Sequence, residues 1–440
     1  MMTETRGGDD TASTPAPLLR KDRICGQYTP AAGQHFEGSP YIRYGFTGDD
    51  VWTIYRHDRL CGRGKELVCP KKPAARNVSI ELLRIVAMFL ILTCHFVIHF
   101  DWDHHQLRVV LPQEPGWWSA LRFVIVQYGQ VGVSIFFIIS GYFLVEKSFK
   151  WNRLVKTWLQ MFCYSVAFLI IVLLLGAFHH YPMAVEPIMH GVDLYRSILA
   201  SLFPFFYNSY WFIGAYLLML LVAPYLNTLF NTLPKRSMEM LIVLLGFFSI
   251  QILIFERASN WNNLVYAMLG YLIGGWLRKY YQDYEDRFRT LPMIGIIVAL
   301  TLLMVAFNHY ISEQSWLVDF MGWKNRIHDG IVLFPIIIGM LVFIMVSRVD
   351  MNQSPEVVQR AICTIAPTTF GIYLIHENWF GFRIVWDCVS KMSYPPSLPI
   401  LRPMAGGCII VIVFIVLSCI SWLIDAIIVH PVEKVLLSRV

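Results

Sequence analysis

Residues 79–99 read Ser79-Ile-Glu81-Leu-Leu-Arg84-Ile-Val-Ala-Met-Phe-Leu-Ile-Leu-Thr-Cys-His95-Phe-Val-Ile-His99. About 20 mostly apolar residues suffice to carry a helix across a bilayer, and this stretch has that length. The backbone groups of a lipid-crossing segment must pair within the protein, which leaves helices or closed barrels. The apolar run is continuous rather than alternating, so a helix is expected. The rest of the chain extends the pattern. Hydrophobic residues make up 56% of the 440 and charged residues 15%, against about 25% charge in soluble domains. The mean hydropathy is +0.52. Charge is also uneven: 21 of the first 79 residues carry it, against 45 of the remaining 361. So little charge cannot cover a water-exposed body of that size. A soluble enzyme, a secreted disulfide scaffold and a disordered chain are excluded.

Ten apolar stretches stand out, at 80–100, 123–145, 157–178, 209–230, 239–255, 262–277, 291–310, 330–347, 364–385 and 404–428. The expected fold is all-α, a polytopic bundle of about ten transmembrane helices. With the N-terminus inside, the segments on the cytoplasmic side hold 19 Lys/Arg and those outside hold 8. Lys/Arg excess marks the cytoplasmic side, so both termini are expected there, in a multi-pass protein of the cell membrane.

Residues 1–76 are expected to be a polar, disordered tail, and 77–440 the membrane domain. Cys25, His35, His57, Cys61 and Cys69 lack the C-x2-C spacing of a zinc site, and the chain is expected to hold no metal. No Met lies between Met2 and Met88, so the tail is also readable as upstream sequence with initiation near Leu67 or Val68. No cleavable signal precedes the first span. The net charge of +6 is largely topological and does not point to nucleic acid.

Ionisable residues inside membrane helices are costly and mark functional sites. At 100° per residue, Arg84 and His95 lie on one face, roughly 16 Å apart along the axis. Glu81 precedes Arg84 by a turn on the same side; the other reading of Arg84 is a side chain that snorkels to the inner interface and pairs with Glu81. The orientation puts Glu81 and Arg84 near the cytoplasm and His95 in the outer half. Gln127, Gln130 and Ser134 form a polar stripe at the same outer depth, as do Tyr373, His376 and Glu377. Helix packing is the other reading of the stripe. Arg153 and Lys156 open the third span on the cytoplasmic side, either as topology charges or as holders of donor phosphates. Asp425 is expected at the inner interface. The 179–207 connection is the longest on the outer side and is expected to act as a lid facing the acceptor.

These residues carry a resemblance. Glu81, Arg84 and His95 reproduce the acidic-x-x-Arg-then-His spacing of the first helix in the membrane acyltransferase-3 family, which includes surface-polysaccharide O-acetyltransferases. Gly132–Tyr142 resembles its second-helix signature. Tyr210-Trp211-Phe212 through Pro224 resembles its Trp-Phe…Pro helix, and Phe370–His376 its Gly-Ile-Tyr-Leu-x-His motif. The chain is similar to that family over roughly 77–430. Where the family often has Arg-x-x-Arg, this chain has Arg153-Leu-Val-Lys156, which keeps charge but loses one planar fork.

The resemblance implies transfer of an acyl group, usually acetyl, from acyl-CoA to a hydroxyl of an envelope or extracellular polysaccharide, in a bacterial cell. Acetyl-CoA would be a donor substrate, with no cofactor bound. The other partners would be membrane lipid and the glycan; the sequence leaves oligomeric state open. His95 is the expected general base, because a positioned imidazole titrates near neutral pH. Arg84 would orient the donor, and His376 would orient His95 or assist the acceptor. Arg153 and Lys156, with Glu81, would serve the donor side, while Gln127, Gln130, Ser134, Tyr373 and Glu377 would face the acceptor. The competing class is a non-enzymatic exporter of a glycolipid or small solute. The repeat-related halves with broken helices common in transporters are not evident in the sequence.

Overall fold

The computed structural model describes residues 44–47, 50–54, 77–104, 107–108, 116–178, 181–207, 209–249, 263–314 and 332–437. Ahead of the helices, β1 (Tyr44–Thr47) and β2 (Asp50–Ile54) pair as a two-stranded sheet, a feature that the reading of the tail did not anticipate. The remainder of the tail, with its cysteines and histidines, lies outside the described residues, as do His179 and His180.

The rest of the described chain is helical. α1 spans Val78–His99. Asn77 starts it by accepting the amides of Ser79 at 3.1 Å and Ile80 at 3.3 Å, which satisfies two donors that a helix N-terminus leaves open. There follow α2 (Trp117–Leu144), α3 (Trp151–Ala177), α4 (Gly191–Leu202), α5 (Trp211–Thr232), α6 (Lys235–Phe248) and α7 (Asn263–Tyr280). Then come α8 (Thr290–Glu313), α9 (Leu333–Ser347), α10 (Glu356–Ile365), α11 (Thr369–His376), α12 (Gly381–Met392) and α13 (Arg402–Ile424). A widened turn at Asp425–Val429 joins α13 to α14 (His430–Leu437).

Among the described residues, six helices are long and apolar enough to cross a membrane: α1, α2, α3, α5, α8, and α13 with its continuation. The other four expected spans take other forms. α6 and α9 have 14 and 15 residues, or roughly 21–23 Å at 1.5 Å per residue, short of a bilayer core of about 30 Å. Residues beside each of them lie outside the described set. α7 runs 18 residues into Arg278 and Lys279. The expected continuous span at 364–385 is instead broken: α11 stops at His376 and α12 starts at Gly381.

α2 is the axis of the bundle. It packs on α1, α7, α9 and α8, and 72% of its most apolar window is buried. The approach is close because small residues face backbone. A Cβ added at Gly141 would stand 1.9 Å from the Tyr271 carbonyl oxygen, and one at Gly274 of α7 would stand 2.0 Å from that of Ile138. Such small-residue contacts are how membrane helices gain van der Waals packing where no hydrophobic force separates them from lipid. Polar clasps add to it. Gln127 and Asn308 exchange amide hydrogen bonds at 3.1 Å between α2 and α8. Ser134 Oγ meets the Tyr266 hydroxyl at 2.8 Å between α2 and α7. Asp425, expected at the inner interface, is buried against α3. Its Oδ1 accepts from Gln160 Nε2 and the Tyr164 hydroxyl, both at 3.0 Å, because the side chains of α3 reach it before water does.

Gly141→Val should lower the thermal midpoint of the detergent-solubilised protein, since overpacking against rigid backbone costs about 1–3 kcal/mol or more. Gly407→Val, at a position with nothing within 4 Å of the added Cβ, should leave the midpoint in place. Equal melting of the two variants would contradict the close α2–α7 crossing.

Candidate active site

His95 projects from the last two turns of α1 toward the C-terminal end of α11. Its Nδ1 lies 2.9 Å from His376 Nε2 and 3.3 Å from Glu377 Oε1. His376 Nδ1 lies 2.6 Å from the Ile372 carbonyl oxygen one turn back on its own helix. These partners assign the protons. A carbonyl only accepts, so His376 carries its hydrogen on Nδ1 and a lone pair on Nε2. His95 must then donate from Nδ1, which leaves the lone pair on its Nε2. The chain of bonds therefore orients His95 and holds it in the tautomer that can take up a proton. His376 is fully buried, while the His95 and Glu377 side chains keep 14% and 17% exposure, so the cluster remains reachable.

The break in the helix makes this geometry possible. Irregular backbone at membrane depth is tolerated only where the protein satisfies its polar groups. Asn378 Oδ1 accepts the amides of Phe380 at 3.0 Å and Gly381 at 3.2 Å, and its Nδ2 donates to the Tyr210 hydroxyl at 2.6 Å. Tyr210 in turn donates to the Leu374 carbonyl at 3.2 Å. Gly381 is required here, since a Cβ would sit 2.1 Å from the Ile375 oxygen. The described part of the long connection covers the same break. A 3-10 turn at Glu186–Ile188 leads into α4, where Ser197 Oγ accepts Trp379 Nε1 at 3.0 Å. Val185 and Met189 pack in one apolar cluster with Phe380.

The far side of His95 is closed by His99, stacked at 6.0 Å between ring centroids, with Phe382 and Trp386 beyond it. His99 Nδ1 meets the Arg108 carbonyl at 2.9 Å, and the Arg108 guanidinium binds the carbonyls of Val97 and Ile98. Just past α1, burial opposes ionisation of Asp101. The His104 ring and the amides of Asp103 and His104 outweigh it and hold this carboxyl below its usual range.

The other sequence candidates are spread out. Tyr373 is buried, its ring against Phe212 and Tyr210 and 5.9 Å from His376, so it walls the site from behind. Gln127 and Ser134 are engaged in the clasps on α8 and α7. The Gln130 carbonyl accepts from Ser134 and Tyr266, both at 2.8 Å. Arg84 pairs with Glu81 at 3.7 Å, near the start of α1.

Arg153 lines a small open cleft together with Lys147, Lys150, Pro224, Asn227 and Tyr271. Asn227 shapes its wall, donating to the carbonyls of Leu144 at 2.9 Å and Lys147 at 3.2 Å while accepting the Tyr271 hydroxyl at 2.7 Å. Lys156 is not among the cleft residues and lies within electrostatic reach of Glu433 and His430 on α14. Sequence reasoning missed Asn378 and Tyr210 as supports, and it counted Lys147 and Lys150 only as topology charges. The signal for the first was an Asn-x-x-Gly turn pattern inside an apolar run.

A family model described as an acyltransferase domain, of the acyltransferase-3 type, matches residues 77–423. No curated protein and no solved structure matches the chain significantly.

Asn378→Ala should destabilise the protein by about 1–3 kcal/mol, because two buried amides lose their acceptor. The check is the thermal midpoint. Asn378→Asp, which keeps an acceptor oxygen, should recover part of the loss, and an Ala variant as stable as wild type would contradict the role of this residue in the break.

Proposed function

The chain belongs to this acyltransferase family, and from that premise we propose that it is an integral membrane O-acyltransferase. It moves an acyl group, acetyl in the first place, from acyl-CoA to a hydroxyl of a cell-envelope polysaccharide. The observation that carries the reading is the chain Ile372 O, His376, His95, which leaves the His95 Nε2 lone pair free.

A sugar hydroxyl is a weak nucleophile. His95 Nε2 takes its proton as the oxygen attacks the thioester carbonyl, and the imidazolium that forms is steadied by Glu377 at 3.3 Å and by His376. When the tetrahedral intermediate collapses, the C–S bond breaks and the CoA thiolate receives that proton from His95. Ester and thiol result, with no net proton change. General-base help of this kind contributes roughly 10²–10⁴-fold.

The donor comes from the cytoplasm in this proposal. Its phosphates sit at the cleft of Lys147, Lys150 and Arg153, three cations in one concave site suited to phosphate. Arg84 stands roughly 16 Å along α1 from His95 by helical rise, placed to guide the arm between the two. Lys156, turned toward α14, supports the cleft only through its charge. A bacterial cell membrane with both termini inside is the setting this route needs.

In purified protein, His95→Ala should lower acyl transfer to glycan by about 10²–10⁴-fold while the protein still folds. Arg153→Gln should raise KM for acyl-CoA with kcat little changed, the mark of lost uniform binding. A His95→Ala protein that inserts normally and acylates at the wild-type rate would sink the proposal.

A further inference from the structure

His95 Nδ1, His376 Nε2 and one Glu377 carboxylate oxygen all lie within 4.8 Å of one another, and this grouping has a second chemistry. We propose that the three form a site for a divalent transition metal, zinc above all, and that metal binding switches off His95 as a base. Two histidines and a glutamate are a known zinc donor set that leaves a fourth position open. Ligands about 2.0–2.1 Å from a tetrahedral ion stand roughly 3.3 Å apart. The His95–Glu377 separation is already 3.3 Å, and His95–His376 at 2.9 Å needs to open by only a few tenths of an ångström.

The outer support is also in place. Metal-bound histidines typically donate their other ring N–H to a carbonyl or carboxylate, which fixes the ligating nitrogen. His376 does this, with Nδ1 on the Ile372 carbonyl at 2.6 Å and Nε2 aimed at His95. Nitrogen donors with a single carboxylate favour zinc-like ions over calcium or magnesium, which take oxygen. His99, although stacked on His95, has its Nδ1 on the Arg108 carbonyl, so that nitrogen is not a fourth ligand.

The two chemistries exclude each other. As a base, His95 keeps its hydrogen on Nδ1 and its lone pair on Nε2. As a ligand through Nδ1, it must carry the hydrogen on Nε2, and no lone pair is left to receive the acceptor's proton. Zinc is therefore a reversible inhibitor. This inhibitory half rests on the base role given to His95 above, whereas the metal site does not.

The test uses the purified full chain in lipid nanodiscs, stripped with chelator and titrated with Co²⁺ and with Zn²⁺. One metal per chain is expected, with visible ligand-field bands for Co²⁺ and two imidazole ligands in the zinc X-ray absorption spectrum. Glu377→Gln and His376→Gln should each weaken binding by roughly tenfold or more. Zinc should slow wild-type acyl transfer and chelator should restore it. If wild-type protein binds neither ion, if its bound zinc shows no imidazole ligand, or if the zinc-loaded protein works at full rate, the proposal is overturned. The X-ray absorption reading needs no variant, so it decides the site even where a substitution fails to fold. A metal site in a protein without acyl transfer would overturn the functional reading and leave the site standing.

Discussion

The hydrogen bond between His95 and His376 is the interaction on which the rest of the molecule converges. Two imidazoles in an apolar bundle are expensive unless each ring nitrogen has a partner or a use. Here the Ile372 carbonyl terminates the chain at one end, and the exposed Nε2 of His95 is its other end. The bond joins α1 to the last turn of α11, helices separated by most of the sequence. The helix break falls directly after His376, and Glu377 at that turn lies 3.3 Å from His95.

The surrounding structure is arranged to make that break affordable. Asn378 and Tyr210 absorb the free polar groups of the turn, and Gly381 lets the chain fold back onto Ile375. α4 and Trp379 close over it. The axial helix α2 contributes rigidity. Its glycines seat it against α7, and its amide and hydroxyl groups clasp α8 and α7. The basic cleft, bounded by Lys147, Lys150, Arg153 and Pro224 of α5, gathers cations in one place while His95 and Glu377 occupy another.

Much of this was legible in the sequence. The apolar run of α1 and the spacing of Glu81, Arg84 and His95 follow from local rules, and the family follows from ordered motifs. What stayed hidden depends on partners far along the chain. His95 and His376 were both conspicuous as buried-span histidines, but periodicity does not say that two faces meet. Gln127 is held by Asn308, 181 residues away, a partner that helical periodicity does not name. The span at 364–385 was misread for another reason. Averaged hydropathy conceals one Asn and one Gly: Asn378 holds the turn that follows α11, and Gly381 begins α12. The position of Asp425 near a helix end is visible in sequence, and the cover formed by Gln160 and Tyr164 is not.

The central claim is that a free imidazole nitrogen at position 95 takes the proton of the attacking hydroxyl. The most direct measurement is chemical rescue. A His95→Gly protein in proteoliposomes, supplied with acyl-CoA and glycan, should transfer acyl groups only when imidazole is added, at a rate that rises with imidazole concentration. Wild-type turnover by the glycine variant with no imidazole present would contradict the account.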